Sequence, residues 1–174
     1  MESIQTKIRL KKKKKMMNVI NHVFSMDETT INFSGDKNDT FFKAIKNSFT
    51  SAISGKSNLS DEVKKMKGLS GRKFRVMMNH LIKNLEDPKY LEIGSWLGSS
   101  ACSVCFKNKA NVTCIDNWSQ NFSTNLDSKK IFKSNLEKFL NENISLQIIE
   151  KDLRKVNFKN IKNINIYFYD GSHH

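Results

Sequence analysis

Long apolar runs are missing from this sequence. Nothing in its 174 residues approaches the roughly 18 consecutive apolar positions of a membrane helix, which excludes a spanning segment. A secretory leader is not expected, because residues 1–10 are polar and run into lysines with no apolar stretch behind them. Cysteine is scarce: three residues in no paired spacing exclude a disulfide-built secreted scaffold. The expectation is a cytoplasmic protein with reduced thiols. Acidic residues are also short, 17 against 30 Lys and Arg, for a formal net charge of +13. What is present is enough apolar content, 38%, for a packed core of one or two domains.

The charge divides the chain. Residues 1–15 carry Lys7, Arg9 and Lys11 to Lys15 against Glu2, a net +6, which leaves +7 for the rest. Such a tail is expected to be disordered and solvated, with nucleic acid or an anionic surface as the alternative partner. Residues 16–67 read as a partly helical extension. Within it Phe42, Ile45, Phe49 and Ile53 fall on one helix face, stopped near Gly55, and 56–68 reads as a linker or a short helix. Phe74, Met77, Met78, Leu81, Ile82 and Leu85 predict a second helix, ended by Asp87 and the single proline, Pro88.

Beyond Pro88 short apolar runs alternate with helical patterns. Strands are expected at 90–93, 112–115, 145–149 and 164–169. Helices are expected at 99–107 and after a cap at Asp127 or Ser128, the latter with Ile131, Phe132, Leu136, Phe139 and Leu140 inward. This alternation predicts an α/β fold with a parallel sheet and flanking helices. Ligands of such sheets sit beyond the carboxyl ends of the strands. The residues there are Glu92 and Gly94, then Asp116, then Asp152, then Asp170 and Gly171. A lone Asp at a strand end is ordinarily a turn former. Four consecutive strand ends of acidic or glycine-bearing character are harder to assign to turns alone. Glu92-Ile93-Gly94-Ser95-Trp96-Leu97-Gly98-Ser99-Ser100 runs from strand through a glycine loop into a helix. Its glycines let the backbone turn sharply beside a ligand, and its spacing is not that of a dinucleotide fingerprint. Asp116, 24 positions after Glu92, suits the hydroxyls of a ribose. The cysteines read as buried thiols packing helix on sheet.

Those segments, with Ile115-Asp116-Asn117-Trp118 and Tyr169-Asp170-Gly171-Ser172-His173, resemble the class I S-adenosylmethionine-dependent methyltransferases. The branch most similar is methyltransferase family 24, whose relatives include sugar and macrolide O-methyltransferases, and the resemblance covers 68–174. It implies a Rossmann-like domain that transfers a methyl group from S-adenosylmethionine to a small-molecule hydroxyl such as that of a sugar. Glu92, Gly94, Ser95, Trp96, Gly98 and Ser99 would then face the methionine end of the cofactor, the glutamate near its ammonium. Asp116 would hold the ribose and Trp118 lie beside the adenine, with Asp152 near its amino group. Asp170 would ligate Mg2+ or act near the acceptor hydroxyl, and His173 would serve as base or acceptor-site residue. The family's sheet has seven strands, so the resemblance also implies a truncation after the fourth and doubtful catalysis by this chain alone. The rival readings are a non-catalytic remnant and a nucleic-acid or surface-binding protein acting through the lysine tail. Oligomeric state is not legible.

Overall fold

A computed structural model describes residues 32–120, 122 and 125–171. The basic tail at 1–15 and His173 lie outside them. Residues 32–34 carry no regular structure, and the unit that begins at Gly35 holds every element described below. Its first helix, α1 (Thr40–Ile53), starts where the Asp39 carboxylate accepts the Phe42 N–H at 2.7 Å. A short helix α2 (Asp61–Lys65) follows, then α3 (Arg72–Lys83).

The inward face of α1 is a correction to the sequence reading. The buried side chains are Ala44, Ser48 and Ala52, whereas Ile53 is 58% exposed. Small residues four apart let α1 approach α3 closely, which a Phe/Ile stripe would prevent; Phe41 and Ile45 pack only at the margins of the core. The buried Ser48 hydroxyl is satisfied by donating to the Ala44 carbonyl and accepting from Asn84 Nδ2.

The sheet follows the expected pattern. Strands β1 (Lys89–Ile93), β2 (Ala110–Asp116), β3 (Ile144–Glu150) and β4 (Ile166–Tyr169) are all parallel, in the order β3-β2-β1-β4. Helix α4 (Ser99–Cys105) joins β1 to β2, and α5 (Ser128–Phe139), capped by Asp127, joins β2 to β3. This is a Rossmann-like α/β arrangement preceded by a helical segment. Among the described residues no helix is long and apolar enough to cross a membrane.

Alternation along β1 sorts the core into two layers. Tyr90 faces the helices with Val112, Cys114, Met78, Ile82, Phe132 and Leu136. Leu91 and Ile93 face the other way with Ile115, under the apolar side chains of the β3–β4 connection. Cys102, Cys105 and Cys114 are free thiols sealed in the helical layer. Burial pushes all three thiols up, Cys105 to about 12, so they pack as small apolar groups. The last carbonyls of α4 need donors, and asparagines supply them. Asn79 reaches Ser103 and Phe106, Asn108 reaches Val104, and Asn141 reaches Cys105.

Candidate functional site

The parallel sheet brings the ends of β1, β2 and β4 to one edge, where the backbone is knitted across strands. Gly94 N–H donates to the Ile115 carbonyl at 2.9 Å, and Asp170 N–H to that of Ile93 at 2.8 Å. Gly94 has φ +86, and a Cβ there would stand 2.5 Å from the Asp170 carbonyl oxygen, so only glycine lets β1 leave the sheet beside β4. Two residues later Trp96 is also left-handed, φ 43, and so is Trp118 after β2, φ 49. Strained non-glycine backbone of this kind persists only where its surroundings hold it.

Asp116, the last residue of β2, does the holding. Its Oδ2 accepts the Trp96 N–H at 2.8 Å and its Oδ1 the Trp118 N–H at 2.7 Å. The Trp118 indole N–H closes the clasp by donating to the Trp96 carbonyl at 2.8 Å. From α5, Asn135 Nδ2 ties down the Leu97 carbonyl at 2.8 Å. The loops after β1 and β2 are therefore one unit, with one carboxylate at its centre. Each carboxylate oxygen has a second acceptor site, so Asp116 retains capacity for a ligand hydroxyl.

This unit walls a cavity of about 450 Å³, within the range of small-molecule sites. Of the residues singled out in the sequence, Gly94, Trp96, Asp116, Trp118, Asp152, Asp170 and Gly171 line it. Glu92, Ser95, Gly98 and Ser99 are not in its wall. The reason for Glu92 is the strand alternation: it shares the helix-facing side with Tyr90 and is fully buried there. The Tyr90 hydroxyl donates to its Oε2 at 2.5 Å, while Oε1 has no hydrogen-bond partner. Burial pushes this carboxyl up to about 7, against the pull of the Tyr90, Ser100 and Ser95 hydroxyls and with a smaller push from Asp170. Gly98, φ +84, lies against the Phe132 ring, and Ser99 touches Ser70 at the entry to α3.

The sequence reading gave no role to Lys151, Leu153, Arg154, Gln120, Phe122 and Tyr169, which also line the cavity. Lys151 and Arg154 follow β3 and could have been found by the same strand-end rule that selected Asp152. Arg154 bonds Asp152 through Nε at 2.9 Å and Nη2 at 2.5 Å and holds that carboxyl well below the usual carboxylate range. Asp152 also caps the turn that follows β3, accepting the Arg154 N–H. The cavity thus has aromatic walls from Trp96, Trp118 and Phe122, carboxylates at the β2 and β4 ends, and a cationic lip. Among the described residues no group of three or more His, Cys, Asp or Glu could hold a metal ion, so the magnesium expected from the resemblance finds no support here.

No family model and no curated protein matches the chain. Among the solved structures that resemble it are two methyltransferases. One is a methyltransferase of Podospora anserina, PaMTH1, bound to SAH: 13% identity, TM-score 0.39, covering 88% of this chain and 58% of that one. The other is coclaurine N-methyltransferase bound to N-methylheliamine and SAH: 14% identity, TM-score 0.34, covering 72% and 43%. The chain therefore spans less than two thirds of either neighbour's length.

Proposed function

We propose that the cavity at the ends of β1, β2 and β4 binds S-adenosylmethionine, and that the chain is the cofactor-binding part of a methyltransferase. The observation that supports this most is the Asp116 clasp. A half-buried carboxylate joins a glycine loop to a tryptophan loop and keeps acceptor capacity on the cavity side. A ribose offers two adjacent hydroxyl donors to such a group. The bound cofactor would supply a methyl group made electrophilic by a sulfonium.

The chain's own part is positioning. The Trp96 and Trp118 rings give flat apolar walls for a base. Asp152, with Arg154, stands at the far lip, where an exocyclic amino group would meet it. Gly94 keeps the floor open beside β4. Asp170 and, beyond the described residues, His173 are the groups on the acceptor side that would hold or take a hydroxyl proton. We assign the acceptor to small molecules with a free hydroxyl, such as a sugar, and the location to the cytoplasm. Glu92, Ser95, Gly98 and Ser99 act in this reading from behind the wall, as supports of the loop. No step runs through magnesium.

Thermal unfolding with and without ligand tests the proposal. A ligand at 100 times its dissociation constant stabilises by about 2.7 kcal/mol. S-adenosylmethionine and S-adenosylhomocysteine should raise Tm by several degrees, while ATP and NADH should not. Asp116→Ala, checked for folding by circular dichroism, and Trp118→Phe should reduce the shift. An unchanged Tm at millimolar S-adenosylhomocysteine, or an equal shift in Asp116→Ala, would overturn it.

A further inference from the structure

The connection from β3 to β4 is the least regular part of the sheet and the most charged. The strand order carries it across the whole sheet, from the β3 edge to the β4 edge, without an α-helix. It is a strap pinned by Leu153, Val156, Ile161 and Ile164, which pack on Leu91, Ile93 and Ile115. Two 3-10 turns, Leu153–Lys155 and Phe158–Asn160, are capped by the side chains of Asp152 and Asn157, so its course is set.

With the apolar residues turned to the sheet, the outer side carries Lys151, Arg154, Lys155, Lys159 and Lys162, all exposed, against the single acid Asp152. Arg154 is paired with that acid, yet its side chain is 87% exposed. The four lysines form no ion pair among the described residues. Phe158 stands among them, 43% exposed, with the exposed amides of Asn157, Asn160 and Asn163 nearby in sequence. Lysines without ion-pair partners, an uncovered ring and exposed amides on a pinned segment match the needs of an extended polyanion carrying flat bases. A bilayer surface would call for several large apolar side chains outward, and Phe158 is the one such residue on this side of the strap.

We propose that the β3–β4 strap is a docking surface for single-stranded nucleic acid, with phosphates on its lysines and a base on Phe158. The surface begins at the cavity lip, because Lys151 and Arg154 belong to both. It stands independently of the methyl-transfer reading, since none of its evidence depends on what fills the cavity.

The test is fluorescence anisotropy of a labelled 12-nucleotide oligouridine with the full chain between 50 and 300 mM salt. Lys155→Gln/Lys159→Gln/Lys162→Gln changes exposed positions only, and its melting curve should match the parent. It should lose roughly 100-fold in affinity at 0.1 M salt, with a log–log salt slope shallower by about 2. Phe158→Ala should lose about tenfold with the slope unchanged. A second variant with Lys11 to Lys15 changed to Gln keeps the strap and should lose less than the strap variant. The proposal is overturned if the parent chain does not bind at 50 mM salt. It also fails if only the tail variant loses affinity, or if a 12-base-pair duplex or phosphatidylserine vesicles bind more tightly than the single strand.

Discussion

Replacing Glu92 by glutamine should make the protein more stable at alkaline pH and leave it nearly unchanged at acid pH. Glu92 is buried in the helical layer with one oxygen bonded by Tyr90 and the other without a partner. Burial raises its carboxyl from an ordinary 4.5 to about 7. Between those values the folded protein keeps a proton that the unfolded chain releases. Stability is therefore fully present below pH 4.5, falls as pH rises through the window, and is level again above 7. The whole gap corresponds to about 3 kcal/mol, of which about 2.5 kcal/mol is lost between pH 5 and pH 8. Glutamine is isosteric, still accepts from Tyr90, and cannot ionise. Urea unfolding of parent and variant at pH 5, 6, 7 and 8 reads the difference directly. The stability gap should widen by about 2.5 kcal/mol across the series, roughly 5–10 °C in Tm for a chain of this size. A constant gap would show that Glu92 does not titrate in that window, and the account of its burial would be wrong.

Three further outcomes follow from the packing. Gly94→Ala places a Cβ against the Asp170 backbone at a left-handed φ, so it should cost about 3 kcal/mol by urea midpoint and abolish cavity binding. Asn79→Ala leaves the Ser103 and Phe106 carbonyls without their asparagine donor and should cost about 3 kcal/mol. Ala44→Leu overfills the close α1–α3 crossing and should cost about 1–3 kcal/mol, whereas Ile53→Ala, at an exposed position, should change the melting temperature little.

Much of the sheet was legible because strands in a parallel α/β fold are short apolar runs closed by Gly or Asp, and here they alternate with clear helix stripes. The 74–85 stripe, the Asp127 cap and the four strand positions were all visible in that way. The face of α1 was not, because sequence patterns reward large apolar side chains while a close helix crossing selects Ala44, Ser48 and Ala52. The orientation of Glu92 was hidden for a different reason. Reading β1 as an undivided apolar run overlooks that Tyr90 and Glu92 share one face and Leu91 and Ile93 the other. The clasp between Asp116 and two backbone N–H groups depends on loop conformation at Trp96 and Trp118, both left-handed against residue preference. No pattern of residue types announces that. The strap escaped notice because it has no period; its apolar residues are spaced to touch a flat sheet rather than to form a helix face.

The central claim is that the cavity beside Asp116 takes S-adenosylmethionine, and the molecule contains its own probe for this. The chain has two tryptophans, Trp96 and Trp118, and both line the cavity. Titration of intrinsic tryptophan fluorescence with S-adenosylhomocysteine therefore reports on that wall alone. The expected result is a saturable change in the parent that is lost in folded Asp116→Ala. A flat titration into the millimolar range with folded parent protein would contradict the claim.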